Sequence, residues 1–156
     1  MRGSIDDIIS GLEALKSSLK VKADALVKAL ADAGCEAVSI TYGAWPYKGP
    51  RDADVTVEQR GEATYAIVAS GETMLILEFG AGVTYSAKQH PLAGEMGYGP
   101  GTYPGQVHAM DKRGWYLPKA AGGGHTYGNA PSMAMYNTGK SLREVIQQAA
   151  REVFKG

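Results

Sequence analysis

The chain has 156 residues, the length of one ordinary globular domain, which leaves little room for two independent hydrophobic cores. Sixteen basic residues balance sixteen acidic ones, so the overall charge gives no reason to expect tight binding to nucleic acid or to a membrane surface. The longest apolar run, Met74 to Leu77, is far shorter than the roughly 18 residues of a membrane span, and Met1 to Ser10 lacks the apolar core of a signal peptide. We therefore expect a single domain over residues 1–156, with no membrane partner.

The first segment, residues 1–42, is predicted to be helical. An apolar stripe recurs at helical spacing in Leu19, Ala23, Leu26, Leu30, Ala33, Ala37 and Ile40. This spacing predicts a helix from about Leu19 to Thr41, and we expect its stripe to pack on the chain's own sheet, with an exposed coiled-coil seam as the alternative. The preceding segment has helical spacing in Ile5, Ile8, Ile9, Leu12 and Leu15. Gly11 and the Ser17-Ser18 pair predict that it is a separate short element or ends in a break.

Residues 53–79 change to the period of β-strands. Apolar and polar residues alternate from Ala53 to Glu58 and again from Ala63 to Ile67, with a turn at Arg60-Gly61-Glu62 between them. A second turn leads into Met74–Phe79, a continuous apolar run that is typical of a strand covered on both faces. The segment therefore predicts an antiparallel meander of three to four strands.

The end of the chain predicts a second helix, over residues 132–155. Leu142, Val145, Ile146, Ala149 and Val153 follow helical spacing, and Pro131 favours a start near Ser132. The predicted fold class is α+β: a long N-terminal helix, the meander, a long loop rich in glycine and aromatic residues over residues 80–131, and a C-terminal helix packed on the sheet.

The long loop is the most unusual part of the composition. Gly80 to Gly128 contains twelve of the 21 glycines and all three histidines. Long loops in compact domains are usually functional or mobile, and aromatic side chains bury much area at low entropic cost. We therefore expect this loop to form contacts with other subunits.

Two alternatives for the loop remain open. The first is a small metal-dependent hydrolase that uses the loop histidines with a nearby carboxylate, the candidates being His90, Glu95, His108 and His125. The histidines are 18 and 17 residues apart, whereas metal ligands usually lie within a few residues of each other on one element. The second is a single-stranded nucleic-acid binder that stacks bases on Trp115 and Tyr116 and meets phosphates with Lys112, Arg113 and Lys119. No nucleophile motif or phosphate loop is present, and we predict no catalytic residue, no metal and no cofactor.

Several short motifs occur in a characteristic order along the chain. Leu75-Ile76-Leu77-Glu78-Phe79-Gly80-Ala81-Gly82 is followed by His90-Pro91, Gly114-Trp115-Tyr116, His125-Thr126-Tyr127-Gly128 and Pro131-Ser132-Met133-Ala134-Met135-Tyr136-Asn137. In this order the motifs resemble the tail-component family typified by the tenth gene product of the HK-type lambdoid phages. The most specific part is the Glu-Phe-Gly-x-Gly turn followed much later by the helix start after Pro131.

This resemblance implies a structural role in the assembly of a tailed bacteriophage. Such a protein is a neck or tail-completion component that joins or terminates the tail near the head, as a ring of copies, in the virion and in the host cytoplasm during assembly. The implied partners are the head-connector and tail-tube proteins, with a passing contact with genomic DNA in the ring lumen, and no catalysis is implied. Our candidates for the subunit interface are Glu78, Phe79, Gly80, Gly82, His90, Trp115, Tyr116, His125, Tyr127, Met133 and Tyr136.

Overall fold

The computed structural model of the protein describes residues 5–49, 51–84, 89–99, 101–102 and 106–153. Within these residues the chain forms, in order, α1 (Ile5–Ala44), β1 (Asp54–Gly61), β2 (Thr64–Ser70), α2 (Met74–Phe79), α3 (Ala93–Met96), β3 (Trp115–Tyr116), a 3-10 turn (Lys119–Ala121), β4 (His125–Thr126) and α4 (Ala134–Val153). In this described part of the chain, no helix combines the length and the apolar character needed to cross a membrane.

The α+β class and the two terminal helices are confirmed, but the sheet is smaller than predicted. β1 and β2 form an antiparallel hairpin whose register runs from Asp54 opposite Ser70 to Gly61 opposite Thr64. β3 and β4 pair only with each other, so the described residues contain two two-stranded sheets rather than one meander of three to four strands.

The segment that was predicted as the third strand, Met74–Phe79, folds instead as the helix α2. A six-residue apolar run has no periodicity that separates a buried strand from a buried helix, so the sequence prediction was wrong here. The carboxylate of Asp52 holds the turn before α2, because it accepts hydrogen bonds from the Thr73 hydroxyl and from the backbone N–H groups of Glu72 at 2.8 Å and Thr73 at 3.0 Å. The Thr73 hydroxyl first, and then the two backbone N–H groups, lower the pKa of Asp52.

Helix α1 is continuous over 40 residues, so the predicted break at Gly11 and Ser17-Ser18 was wrong. One glycine in a helix costs only about 1 kcal/mol, which the rest of a long helix can offset. The packing face also differs from the prediction. Its buried residues are Ala31, Gly34, Val38 and Tyr42. Leu19, Leu26 and Ile40 of the predicted stripe are 50–63% exposed.

Gly34 explains why α1 packs on that face. A Cβ atom at Gly34 would lie 2.6 Å from Cδ1 of Ile67 in β2 and 2.9 Å from Cδ1 of Leu142 in α4. The close approach of these three elements therefore requires glycine at position 34. The buried face of α1 is centred about one third of a helical turn away from the predicted stripe. The stripe faces outward, in the orientation of the exposed-seam alternative.

The core lies where α1, α2 and the start of α4 meet. It consists of Val38, Tyr42, Leu77 and Ala134, of which Val38 and Leu77 are almost fully buried. Arg51 closes the end of α1, because its guanidinium donates to the carbonyl oxygens of Tyr42 at 2.8 Å and Gly43 at 2.6 Å. α1 has no basic residue in its last turn, so this cation supplies the charge that favours a helix C-terminus.

The fold predicts different effects on stability for two glycine-to-alanine changes in helices. At Gly139 in α4, an added Cβ would have no neighbour within 4 Å, so Gly139→Ala should raise the free energy of unfolding by about 0.5–1 kcal/mol through helix propensity. At Gly34 the same change forces Ile67 and Leu142 to move and should not stabilise the protein. Urea denaturation of both variants checks this. Equal stabilisation by the two changes would contradict the packing of α1.

Candidate functional site

The best-defined polar site is centred on the carboxylate of Glu78, the penultimate residue of α2. Glu78 was predicted at the end of a strand, whereas it lies at the end of a helix, and the residue is only 4% exposed. We call the carboxylate and its four donors the Glu78 junction. Tyr42 Oη donates to Oε2 at 2.9 Å, and His90 Nε2 lies 3.1 Å from Oε1. The backbone N–H groups of Met135 and Tyr136 donate at 3.1 and 3.2 Å.

Glu78 acts as the N-terminal cap of α4. Met135 and Tyr136 are in the first turn of that helix, where backbone N–H groups have no partner within the helix. A carboxylate at this position satisfies two donors and interacts favourably with the helix dipole. The backbone strengthens the connection, because Met133 donates to the Glu78 carbonyl oxygen at 3.2 Å and Ser132 donates to that of Leu77 at 2.9 Å.

The hydrogen bonds of His90 hold its ring in place. Its Nδ1 accepts the backbone N–H of Leu92 at 3.1 Å, which leaves Nε2 as the donor to Glu78. The ring lies 4.4 Å from Phe79 and 5.3 Å from Tyr136, measured between centroids. His90 thus fixes the loop after α2 against the start of α4.

Tyr42 brings α1 into the same junction. Its burial, and secondly the charge of Glu78, raise the pKa of Tyr42 above the ordinary value of about 10 for tyrosine. The folded state therefore holds this proton more tightly than the unfolded state. The resulting stabilisation is fully present below pH 10 and is lost as the pH rises above that value.

The Tyr42→Phe variant tests this linkage. It should cost about 1–2 kcal/mol at pH 7, because Glu78 loses one buried donor. The difference between wild type and variant should shrink as the pH rises above 10, since only the wild type must keep Tyr42 protonated in order to fold. Urea denaturation between pH 7 and pH 11 measures both. Tyr47 and Tyr65 also have raised pKa values, but they are common to both proteins and cancel. A difference that stays constant with pH would contradict the linkage.

The other two histidines lie away from this junction. His108 and His125 are exposed, and His125 forms ring contacts with Tyr116 at 5.0 Å and Tyr127 at 4.9 Å. Among the residues that the structure describes, no three His, Cys, Asp or Glu side chains are grouped so as to hold a metal ion. The geometry therefore does not bring together the four residues of the metal-hydrolase alternative.

The predicted interface residues fall into three groups by exposure. Glu78, Gly80, Gly82 and His90 are buried within the chain; Phe79, Trp115, Met133 and Tyr136 are half-buried; Tyr116, His125 and Tyr127 are exposed. The buried group joins α2, the loop and α4. The exposed group forms one aromatic cluster at β3 and β4 that is available to a neighbour. The interface prediction itself stays a prediction.

An open apolar groove lies beside the junction, and we call it the α2–α4 groove. Its volume is about 530 Å³, and its lining includes Met74, Leu75, Phe79, Leu92, Met96, Tyr98 and Met135. Lys140 and Arg143, both exposed and three residues apart on α4, lie on one side of it. Sequence reasoning missed this groove and Tyr42, because both depend on residues from separate segments that only the fold brings together. The lone signal was the methionine and leucine content of residues 92–96.

A comparison of the chain with known protein families, characterised proteins and solved structures finds no match to any of them.

Proposed function

We propose that this chain is a structural assembly protein of a tailed bacteriophage, a neck or tail-completion component that joins or terminates the tail near the head. The observation that carries the proposal is the Glu78 junction. The Glu-Phe-Gly turn and the helix start after Pro131 are the most specific parts of the resemblance, and they lie about 50 residues apart in the sequence. In the fold they are joined by the hydrogen bonds of Glu78 with Met135 and Tyr136.

This contact explains why the Glu-Phe-Gly turn needs its glycine. Glycine is required at position 80, where φ is +81°, because a Cβ there would lie 2.7 Å from the backbone nitrogen of Pro131. A turn that must fit against one particular helix start explains why both sequences occur in the same chain. The resemblance thus rests on residues that act together, which is stronger support than separate short matches.

The distribution of apolar surface also favours an assembly role. Many large apolar residues are at least half exposed, among them Ile5, Ile8, Leu12, Leu15, Leu19 and Leu26 on α1. Contiguous apolar surface of this kind marks a contact with another molecule. An assembly subunit has such surfaces in the free state and covers them in the particle.

The test is a reconstitution with candidate partners. The purified protein, alone and mixed with the head-connector and tail-tube proteins of the same genome, is examined by mass photometry and cryo-EM. We expect a ring of copies, seated on one of these two partners. Monomers in every mixture, with no density added to either partner, would overturn the proposal.

A further inference from the structure

Two apolar surfaces of the described residues lie near opposite ends of α1. One is the outward face of the first part of α1, and the other is the α2–α4 groove. We propose that the first part of α1, Ile5–Leu15, docks into the α2–α4 groove of a second copy of this chain. The inference deepens the proposed assembly role and rests on it for closure of the contacts into a ring.

The segment Ile5–Leu15 has the pattern of a helix that binds in a groove. Its apolar residues Ile5, Ile8, Ile9, Leu12 and Leu15 are 48–75% exposed and recur at intervals of three and four residues. Amphipathic helices that bind apolar grooves use anchors at this spacing. Full burial of one such side chain removes on the order of 100 Å² of apolar surface from water. The segment can therefore contribute several hundred Å² to an interface, whereas a stable interface buries ~800 Å² on each partner.

The position of the segment keeps it away from its own body. At the tip of the β1–β2 hairpin, the carboxylate of Glu62 lies 2.9 Å from the ammonium of Lys20 on α1. Ile5–Leu19 therefore extends beyond the hairpin by about 20 Å at 1.5 Å per residue. Every residue of this stretch is exposed.

The segment cannot reach the groove of the same chain. Glu78 borders the groove and is hydrogen-bonded to Tyr42, so the groove lies at the C-terminal end of α1. A continuous helix separates Ile5 from Tyr42 by roughly 55 Å. Docking of Ile5–Leu15 into this groove therefore needs two copies of the chain.

Charge favours the same pairing. Ile5–Leu15 contains Asp6, Asp7 and Glu13 and no basic residue. The groove carries Lys140 and Arg143, whereas the Glu78 carboxylate at its edge is buried and already accepts four hydrogen bonds. An acidic apolar helix against an apolar groove with a cationic side is complementary in both respects. Side-by-side pairing of two α1 helices would leave the groove uncovered.

A contact between unlike surfaces at opposite ends has a structural consequence. Each copy that donates its helix still offers its own groove, so the contact repeats from copy to copy. Such heterologous contacts close into a ring when the rotation between copies permits it and otherwise form an open filament. The ring proposed for this protein corresponds to the closed case.

Disulfide trapping in the full-length protein tests the inference. In a Cys35→Ala background, which removes the half-buried free thiol, Leu12→Cys is made in one preparation and Met96→Cys in another. Leu12 and Met96 are 61% and 52% exposed, so neither change disturbs the core. We expect disulfide-linked dimers when the two preparations are mixed under oxidising conditions, and few in either preparation alone. The matched control is Ser10→Cys, which lies on the opposite side of α1 and should not cross-link to Met96→Cys.

A charge exchange provides an independent second measurement. Asp6→Lys with Glu13→Lys should weaken self-association by about tenfold or more in sedimentation velocity, and adding Lys140→Glu with Arg143→Glu should restore most of it. Dimers formed by Leu12→Cys alone would indicate paired α1 helices and overturn the inference, as would the absence of any cross-link.

The outcomes separate this inference from the proposed function. A protein that joins the head connector or the tail tube without the Leu12–Met96 cross-link keeps its proposed function and loses this inference. A cross-link in a protein that binds neither partner supports the docking of α1 and overturns the phage role.

Discussion

Replacing Glu78 with alanine is expected to lower the free energy of unfolding by about 3–5 kcal/mol. The carboxylate accepts hydrogen bonds from the Tyr42 hydroxyl, the His90 imidazole and the backbone N–H groups of Met135 and Tyr136. All four donors lose their acceptor together, and an unsatisfied buried donor costs about 1–3 kcal/mol, reduced here by relaxation and entry of water. Since a domain of this size is stabilised by about 5–15 kcal/mol, this loss is a large part of the total.

Urea denaturation monitored by circular dichroism measures this effect, with Glu95→Ala as the matched control. Glu95 is an exposed carboxylate on the short helix α3, and its replacement should change stability by less than about 0.5 kcal/mol. A Glu78→Ala variant as stable as the control would show that the junction does not hold α2 and α4 together.

Gly80→Ala is the second large effect that we expect, at about 3–5 kcal/mol. The backbone at Gly80 has φ +81° and ψ −179°, a region that is essentially restricted to glycine, and the strain of alanine there costs about 1–3 kcal/mol. In addition, its Cβ would lie 2.7 Å from Pro131 N and 2.8 Å from Asn129 O, which are backbone atoms. The clash must push α2 away from the start of α4 and adds a cost comparable to overpacking of a core.

Gly97→Ala separates the two causes. Gly97 also has a positive φ, +71°, but an added Cβ there would meet no atom within 4 Å. It should therefore cost only the conformational strain, about 1–2 kcal/mol. If Gly80→Ala and Gly97→Ala have equal effects in thermal and urea denaturation, the contact between Gly80 and residues 129–131 is unimportant and our account of the motif is wrong.

The sequence predicted those elements whose pattern is local. The β1–β2 hairpin follows from alternation on both sides of a turn, and α4 follows from its helical spacing, although it begins at Ala134 and not at Ser132. Met133 has φ +54° and lies outside the helix because its backbone and that of Ser132 donate to α2. These contacts come from a segment about 55 residues away and leave no local signal.

Other features depended on tertiary structure and could not be predicted. The stripe of Leu19, Leu26 and Ile40 is the stronger apolar pattern of α1, yet the face that packs is the one where Gly34 allows close approach. In the same way, Met74–Phe79 is apolar enough for a strand, yet it forms a helix that follows a turn held by the Asp52 carboxylate. In α1 and in Met74–Phe79, the tertiary structure differs from what the local apolar pattern predicts.

The sequence named Glu78, His90 and Tyr136 as candidates for a subunit interface, and that stays a prediction. Within the chain, the structure brings all three together with Tyr42, which the sequence did not indicate. In the free chain, Glu78 and His90 are buried and join α2 to the start of α4 beside the groove.

In the proposed assembly role, two kinds of residue would have different tasks. Buried polar residues such as Glu78 and His90 join α2 to the start of α4 beside the groove. Exposed apolar residues on α1, together with the aromatic cluster of Tyr116, His125 and Tyr127, would form the contacts with neighbours. Mutations in the first group should reduce stability and assembly together, whereas mutations in the second should reduce assembly alone.

The most direct test of the proposed function is electron microscopy of the particles made by the genome that encodes this chain, with the gene intact and with it deleted. We expect complete tailed particles with the gene intact. Without the gene we expect filled heads and separate or malformed tails, and a plasmid copy of the gene should restore joining. Normal infectious particles in the absence of the gene would contradict a role in neck or tail completion.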